Sequence, residues 1–590
     1  MSPIEIKDSR RLTGPNILWD HAGAVLEVYG PEAEVEVLVS AWRRHVRAML
    51  DEVGWPSEEP AYRHFPGGAS LAISAHIDVL YSATEVNEWA VEAALAEISG
   101  RETPDLEEGA SGLRREIEGE RSPALLVLRD AAREHDVVFF SDDHRATIGL
   151  GKGSLTFGVK ELPDPGSIDW SRVSDIPVAM ITGTNGKSTT VRLVGAMVRA
   201  EGLIEGYSST DGIVVDGVTV ERGDYSGPEG ARAVLRNKRV EAAVLETARG
   251  GMLRRGLPIP RADAALVTNV AEDHLGEFGI HDLPSLIETK LVVHRAVGQK
   301  GVLVLNADDP GLRARGADLG VPVAWFSLDI DRSGLRRDIL EGSEAAWLEG
   351  EKLVRMRNWH REEVIPVGEI PVTMNGAARH NIANALSAIL VGGRLGLSLE
   401  AMAEGLRRFA ASPEENPGRG NLFELNGVTA LVDFAHNAHG FRSLFEMAAA
   451  LPVKRRLIIL GQAGDRSNAS ILEQVSITWK AGFDRIIIKE MEVYLRGRRK
   501  GEIPGLIEAE LRRLGAGDAV IGHADCEIEA VRQALRWARP GDLLLLLVYA
   551  ERKETFELLR ELQKSGWQPG EPFKFSFPAL SPSTGTPRAG

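Results

Sequence analysis

The stretch VAMITGTNGKSTTVRLVGAMV, Val178 to Val198, sets two glycines, a lysine and several hydroxyl residues between an apolar run and a segment with helical spacing. Gly183 and Gly186 let backbone N–H groups face inward with no Cβ in the way. A helix beginning there directs its unpaired N–H groups and positive dipole end to the same point. Such a turn seats an anion. Lys187 adds a point charge for outer phosphates, and Ser188 offers the hydroxyl that loops of this kind place on Mg²⁺. The strict pattern G-x-x-x-x-G-K-[ST] asks for glycine at position 181, where this chain has Ile181. The loop is therefore a variant, and a plain Gly-rich turn with an exposed lysine is the alternative. Gly183, Thr184, Asn185, Gly186, Lys187, Ser188 and Thr189 form the expected nucleotide cradle.

Further residues with chemical potential follow other apolar runs. Glu246 in LETARGG could hold Mg²⁺ beside phosphates, an ion that prefers oxygen ligands; a capping or ion-paired surface glutamate is the alternative. His274 in NVAEDHLGEFG could bind a metal or be a satisfied core histidine. Lys290, in the helical-looking PSLIETKLVVHRAV, reads by itself as part of a solvated face.

These residues need a scaffold that gathers strand ends. The apolar runs Val178 to Ile181, Ala242 to Leu245, Ala264 to Thr268, Gly301 to Leu305 and Val321 to Phe326 alternate with helical stretches. That alternation predicts a parallel sheet with crossover helices, in which ligands sit at the carboxyl ends of the strands. After a loop-rich break at ASPEENPGRG, 411–420, the alternation restarts with Thr429 to Val432, Arg456 to Leu460, Arg485 to Ile488 and Leu543 to Val548. A second α/β domain is expected there. Before the central part, Val35, Leu38, Val39, Trp42, Val46, Met49, Leu50 and Val53 follow helical spacing, so one face of a long helix packs on a partner. LPDPGSIDW, 162–170, reads as a linker. IGLGKGSLTF, 148–157, is a weak glycine pattern that reads as a hairpin turn.

Composition narrows the function. At 590 residues the chain exceeds one core, and the single cysteine, Cys526, excludes an internal disulfide or a Cys-based zinc site. A formal net charge of -16 argues against nucleic-acid binding, and no apolar run approaches membrane-helix length. The N-terminus lacks a secretory pattern, so a cytoplasmic protein with no membrane partner is expected.

The series TGTNGKST, the Glu246 strand end, TNVAEDHL, LNADDP, HNIANALSA (380–388) and VDFAHNAHG (432–440) resembles the Mur ligase superfamily in content and order. STDGIVVDGVTVERGDYSGPEGARAVL, VLETARGGMLRRGL and RRLTGPNILW are similar, more narrowly, to the cyanophycin synthetase family. The resemblance covers nearly the whole chain. That family carries an ATP-grasp domain where this chain has only the linker near Pro163, so the half reaction assigned to that domain is expected to be missing.

The resemblance implies an α/β chain: an N-terminal α+β domain over 1–162, a central ATP-binding P-loop domain with a mostly parallel sheet over 171–412, a C-terminal Rossmann-like domain over 416–575, and a disordered tail over 576–590. It implies an ATP-dependent amide ligase, with Mg²⁺, working through an acyl phosphate on an amino acid and a peptide-like or polymeric acceptor. By resemblance Ser188 and Glu246 hold one Mg²⁺, and His274 with a carbamylated Lys290 holds or orients the second. Asn306 contacts adenine, and Arg419, Asp433 and His436 grip ATP from the C-terminal domain. Asp465, Arg466 and Arg498, in GQAGDRSN and RGRRKGE, are candidates for the incoming amino acid, with surface ion pairing as the alternative. A homo-oligomer and a separate ATP-grasp partner enzyme are further implications. A nucleotide-binding partner protein without chemistry, an envelope-precursor ligase and a folate polyglutamylating ligase remain alternatives.

Overall fold

The computed structural model describes residues 4–273, 275–316 and 318–573; His274 and the expected tail at 576–590 lie outside the described residues. The chain divides into two compact units, residues 1–410 and 411–590.

In the first unit, an eleven-stranded sheet carries the site. Its middle runs Glu205–Ser209, Ala242–Glu246, Val178–Thr182, Ala262–Val267, Val297–Asn306, Val323–Ser327 and Ala345–Glu349, all mutually parallel. Antiparallel strands extend both edges, Gly212–Val215 and Val218–Arg222 on one side, Lys352–Arg357 and His360–Pro366 on the other. The central strands read as continuous apolar runs because helices cover both faces, and Val178–Thr182 and Ala242–Glu246 are buried at every position. The strand ends therefore share one edge of the sheet.

The N-terminal part of this unit contains a four-stranded antiparallel sheet in the order Glu5–Leu12, Gly23–Tyr29, Gly68–Ser74, Pro60–Phe65. Helix Glu32–Glu52 buries the first seven residues of its predicted apolar stripe, and the eighth, Val53, is buried at its C-cap. It packs mainly on helix Leu80–Ile98 as well as on the sheet, and Trp42 Nε1 donates to Asn87 Oδ1 at 2.9 Å within that interface. Helices Leu80–Ile98, Leu106–Glu120 and Pro123–Glu134 follow, the last two burying Ala110, Leu113, Ile117 and Leu125, Leu128, Ala132 at helical spacing. The 148–157 glycine pattern is a hairpin, with Arg145–Ile148 antiparallel to Leu155–Gly158. The GPNILW turn docks on the segment that follows strand Ala242–Glu246: Leu257 N–H donates to Pro15 O at 2.7 Å, and Thr13 N–H to Arg255 O at 2.7 Å.

The second unit is a six-stranded Rossmann-like sheet in the order Arg419–Leu425, Val428–Asp433, Asp542–Leu547, Arg455–Leu460, Arg485–Lys489, Ile521–Ala524. All pairs are parallel except the first. Among the described residues no helix is long and apolar enough to cross a membrane.

Candidate functional site

Strand Val178–Thr182 runs into the glycine loop, and helix Lys187–Ala200 leaves it. Gly186 caps that helix at φ +87°, a left-handed conformation that glycine adopts without strain. A Cβ there would lie 2.3 Å from Asn384 Oδ1, and one on Gly183 would lie 1.9 Å from Thr268 Oγ1. The loop thus passes between two other motifs with no room for a side chain at either glycine.

Those motifs also supply its hydrogen bonds. Thr184 N–H donates to Asn269 O at 2.9 Å, and Asn185 N–H to Asn269 Oδ1 at 3.1 Å. Thr268 Oγ1 donates to Asn185 O at 2.6 Å, and Ala271 N–H to Thr184 Oγ1 at 3.0 Å. Asn306 Nδ2 donates to Thr268 O at 3.0 Å from the next strand end. On helix Arg379–Arg394, Asn384 Nδ2 donates to Asn381 Oδ1 at 3.1 Å, which fixes the amide that faces Gly186. The TNVAEDH, LNADDP and HNIANALSA motifs therefore brace the loop together. Lys187 Nζ donates to Thr184 O at 3.1 Å, folded back over the loop.

Ser188 Oγ donates to Glu246 Oε2 at 2.7 Å and lies 3.2 Å from Thr210 Oγ1. Thr210 N–H approaches the same carboxylate oxygen at 3.4 Å. Glu246 is 1% exposed, and its Oε1 has no hydrogen-bond partner among the described residues. A buried carboxylate oxygen left in this way is costly unless a cation meets it. One carboxylate and two hydroxyls are hard oxygen donors, a set that suits Mg²⁺ when phosphates complete the shell. Among the described residues no group of three His, Cys, Asp or Glu side chains could hold a metal ion, so the fit rests on this mixed set.

Lys290 does not sit on a solvated face. It is 4% exposed, on helix Leu283–Leu291, whose N-terminus is fixed by a capping box between Asp282 and Ser285. Burial first, then the charges of Lys187 and Arg249, hold its ammonium well below the ordinary lysine range, while Asp273 opposes them. Arg249 is itself committed to Glu277 at 2.5 Å.

Sequence reasoning missed Thr210, Asp211 and Arg192. Buried Arg192 pairs with Asp211 at 2.7 Å and so anchors the turn that brings Thr210 to Ser188. The arginine within the apolar helix after the glycine loop was the available signal.

In the second unit, Asp433 accepts from Ala435 N–H at 2.7 Å and Gly420 N–H at 2.8 Å. Burial pushes its carboxyl above the usual range, against those amides and the nearby Arg419 charge. His436 Nδ1 lies 2.9 Å from Phe434 O, and since a carbonyl can only accept, Nδ1 carries the proton. Arg419, Asp433 and His436 thus gather at one strand end. Asp465 pairs with Arg496. Arg498 spends its guanidinium on the neighbouring loop, donating to Gly464 O at 2.9 Å, Arg466 O at 2.6 Å and Asn468 Oδ1 at 2.8 Å. Its geometry is that of a brace holding the 464–468 turn.

Residues 181–392 match the Mur ligase middle domain, and 418–547 match the Mur ligase glutamate ligase domain. Cyanophycin synthetase of Synechocystis sp. (strain ATCC 27184 / PCC 6803 / Kazusa) is 40% identical over 393 residues, covering 67% of this chain and 44% of that protein. The chain thus spans less than half the length of that relative. UDP-N-acetylmuramoylalanine--D-glutamate ligase of Chromobacterium violaceum is 31% identical over 371 residues, covering 62% of this chain and 68% of that enzyme. Among solved structures, E. coli FolC in complex with DHPP and ADP is similar at a TM-score of 0.48 and 18% identity, over 65% of this chain and 89% of that one. With both domain matches in chain order and two thirds of a D-glutamate ligase covered, the chain belongs to the Mur ligase family.

Proposed function

We propose that the chain is an ATP-dependent ligase that joins an amino acid to a carboxylate of a peptide-like or polymeric acceptor, giving ADP and phosphate. The observation that carries this is the buried Ser188–Glu246 pair at the mouth of the glycine loop, with one carboxylate oxygen left without a protein partner among the described residues. A plain structural turn has no use for such a pair.

The chemistry asks two anions, a γ-phosphate and a carboxylate, to meet, and positive charge between them lowers that cost. The backbone N–H groups of the loop and the helix N-terminus would cradle the phosphates, and Lys187 would move from Thr184 O to the outer phosphates. Ser188, Glu246 and Thr210 would hold Mg²⁺, which supplies charge neutralisation when bound. The acceptor carboxylate attacks the γ-phosphorus and ADP leaves. The amine then attacks the acyl phosphate, phosphate departs, and the amine proton passes to solvent or a nearby base.

Lys290, buried and held toward its neutral form, is suited to carbamylation, in which the free amine adds CO₂ and releases a proton. The product is an anionic oxygen ligand where a cation would repel Lys187. His274 joins this group by its motif. Asn306, Arg419, Asp433 and His436 are assigned to ATP, and Asp465 and Arg466 to the amino acid, with Arg498 bracing their loop. We further assign 1–162 to acceptor binding, 171–412 to ATP and 416–575 to the incoming amino acid. A homo-oligomer and a separate ATP-grasp enzyme complete this reading.

The test is phosphate release with ATP and Mg²⁺ over a matrix of amino acids and short aspartate-backbone peptides, with mass spectrometry of each active mixture. A product heavier by one amino-acid residue supports the reading. Binding of ATP without coupled amide formation for any acceptor would overturn it.

A further inference from the structure

The loop after strand Ala262–Val267 is held at two ends by different parts of the first unit. Its beginning, 268–271, is bonded to the glycine loop through Thr184 and Asn185. Its far end, 277–281, lies against the N-terminal sheet. Arg63, on the edge strand Pro60–Phe65, donates Nη2 to Phe278 O at 2.9 Å and Nη1 to Gly279 O at 3.1 Å. The forked guanidinium grips two consecutive carbonyls, a geometry an ammonium cannot reproduce.

The gripped residues are held in an unusual conformation. Phe278 has φ +52° and Gly279 φ +67°, so two successive residues are left-handed, and for phenylalanine that conformation persists only when its surroundings impose it. The surroundings are specific. The Phe278 ring lies 4.8 Å from the Arg10 guanidinium. His281 stacks on Phe65 with centroids 5.5 Å apart. A Cβ on Gly279 would come within 2.3 Å of the Phe65 ring. From the ligase side, Arg249, three residues beyond Glu246, pairs with Glu277 at 2.5 Å.

We propose that Arg63 is a positioning residue: through the Phe278 and Gly279 carbonyls, the N-terminal sheet sets the placement of residues 275–282 and thereby, through the Arg249–Glu277 pair, the affinity of the nucleotide site for its divalent ion. This deepens the ligase reading and rests on it for the ion, but the claim about the loop stands separately. In this arrangement the N-terminal sheet acts on the chemistry as a structural support, independently of any acceptor it binds.

The experiment compares the full-length wild type with Arg63→Ala, Arg63→Lys and, as a control on the same sheet and its helices, Arg44→Ala, an exposed residue paired with Glu97. Two readouts need no turnover: hydrogen exchange of the peptide spanning 275–282, and Mn²⁺ affinity by electron paramagnetic resonance with a non-hydrolysable ATP analogue present. Expected for Arg63→Ala are faster exchange confined to that peptide and an Mn²⁺ affinity weaker by about ten-fold, the scale on which outer partners of metal sites act. Arg63→Lys falls between, and Arg44→Ala matches wild type. Wild-type exchange and affinity in Arg63→Ala would overturn the proposal. So would exchange that rises equally across the whole N-terminal sheet, which would mark a merely structural role. Should Arg63→Ala fail to fold, Arg63→Lys carries the same test. If exchange changes but the wild type binds no Mn²⁺, the ligase reading fails while the loop clamp survives.

Discussion

Replacing Glu246 by glutamine separates the site's stability from its binding function. In the ligand-free protein the Glu246 carboxylate is 1% exposed, accepts from Ser188 at 2.7 Å, and leaves Oε1 without a partner among the described residues. An unsatisfied buried polar group costs about 1–3 kcal/mol, and charge adds to that cost. Glu246→Gln keeps the shape and the Ser188 contact while removing the charge, so ligand-free stability should stay level or rise by about 1 kcal/mol. With Mg²⁺ and a non-hydrolysable ATP analogue the order reverses. A ligand at 100 times its dissociation constant stabilises by about 2.7 kcal/mol, and a 100-fold loss of affinity reduces that to about 0.4 kcal/mol. Urea unfolding of both proteins, with and without ligand, reads the four states. A ligand-free Glu246→Gln protein weaker by more than about 2 kcal/mol would show the carboxylate to be structural. Undiminished stabilisation by ligand would show that no cation meets Oε1. Either result refutes the reasoning.

Gly186→Ala should cost about 1–2 kcal/mol of stability in urea unfolding, because φ is +87° and the new Cβ would press on Asn384 Oδ1. It should also weaken nucleotide binding by calorimetry, since the cradle must shift to relieve the clash. Lys489→Met should cost about 3–5 kcal/mol, as it strands Glu527 in the C-terminal sheet where the pair now meets at 2.5 Å. Burial raises the Glu527 carboxyl, but Lys489 and the amides of Tyr549 and Glu551 outweigh it and leave it below the ordinary range. Its stabilisation is therefore present above the unfolded glutamate pKa and lost as pH falls through the folded one. The urea midpoint of the wild type should drop on acidification more steeply than that of Glu527→Gln. Arg498→Ala should raise KM for the amino acid and leave KM for ATP unchanged, measured by initial rates, because it releases the 464–468 turn and touches no phosphate residue.

The sheet was legible because its physics is simple. Parallel strands covered on both faces read as unbroken apolar runs, and each central run named from sequence lies within or beside an observed strand. The glycine loop was legible because its side-chain absences are enforced by Thr268 and Asn384. Lys290 was legible only through the resemblance, since a lysine on a short helix has the same local pattern whether it meets solvent or a buried site; its burial and the nearby charges of Lys187 and Asp273 come from the third dimension. Thr210 was missed for a related reason. It owes its position to the Arg192–Asp211 pair, nineteen residues apart in sequence, and hydroxyls in turns carry no signal by themselves. Of the three further N-terminal helices, Leu80–Ile98 is masked by alanines and apolar residues on most of its faces, whereas Leu106–Glu120 and Pro123–Glu134 bury Ala110, Leu113, Ile117 and Leu125, Leu128, Ala132 at helical spacing that was present in the sequence.

What separates the candidate site residues from the structural ones is the presence of a local conflict that the fold leaves unresolved. Lys489 is fully buried and charged, yet Glu527, the Leu547 carbonyl and the face of Tyr549 answer it completely, so its role ends with the fold. Glu246 is buried to the same degree at the end of an apolar strand, and the described protein answers only one of its oxygens. Lys290 is buried against two like charges, which is an arrangement that folding alone would select against. Natural proteins keep such conflicts where a ligand resolves them. Glu246 ends strand Ala242–Glu246 and lacks a cation, Lys290 lies on helix Leu283–Leu291 and is crowded by them, and under the proposed function a phosphate-bearing substrate with its divalent ion would supply what each is missing.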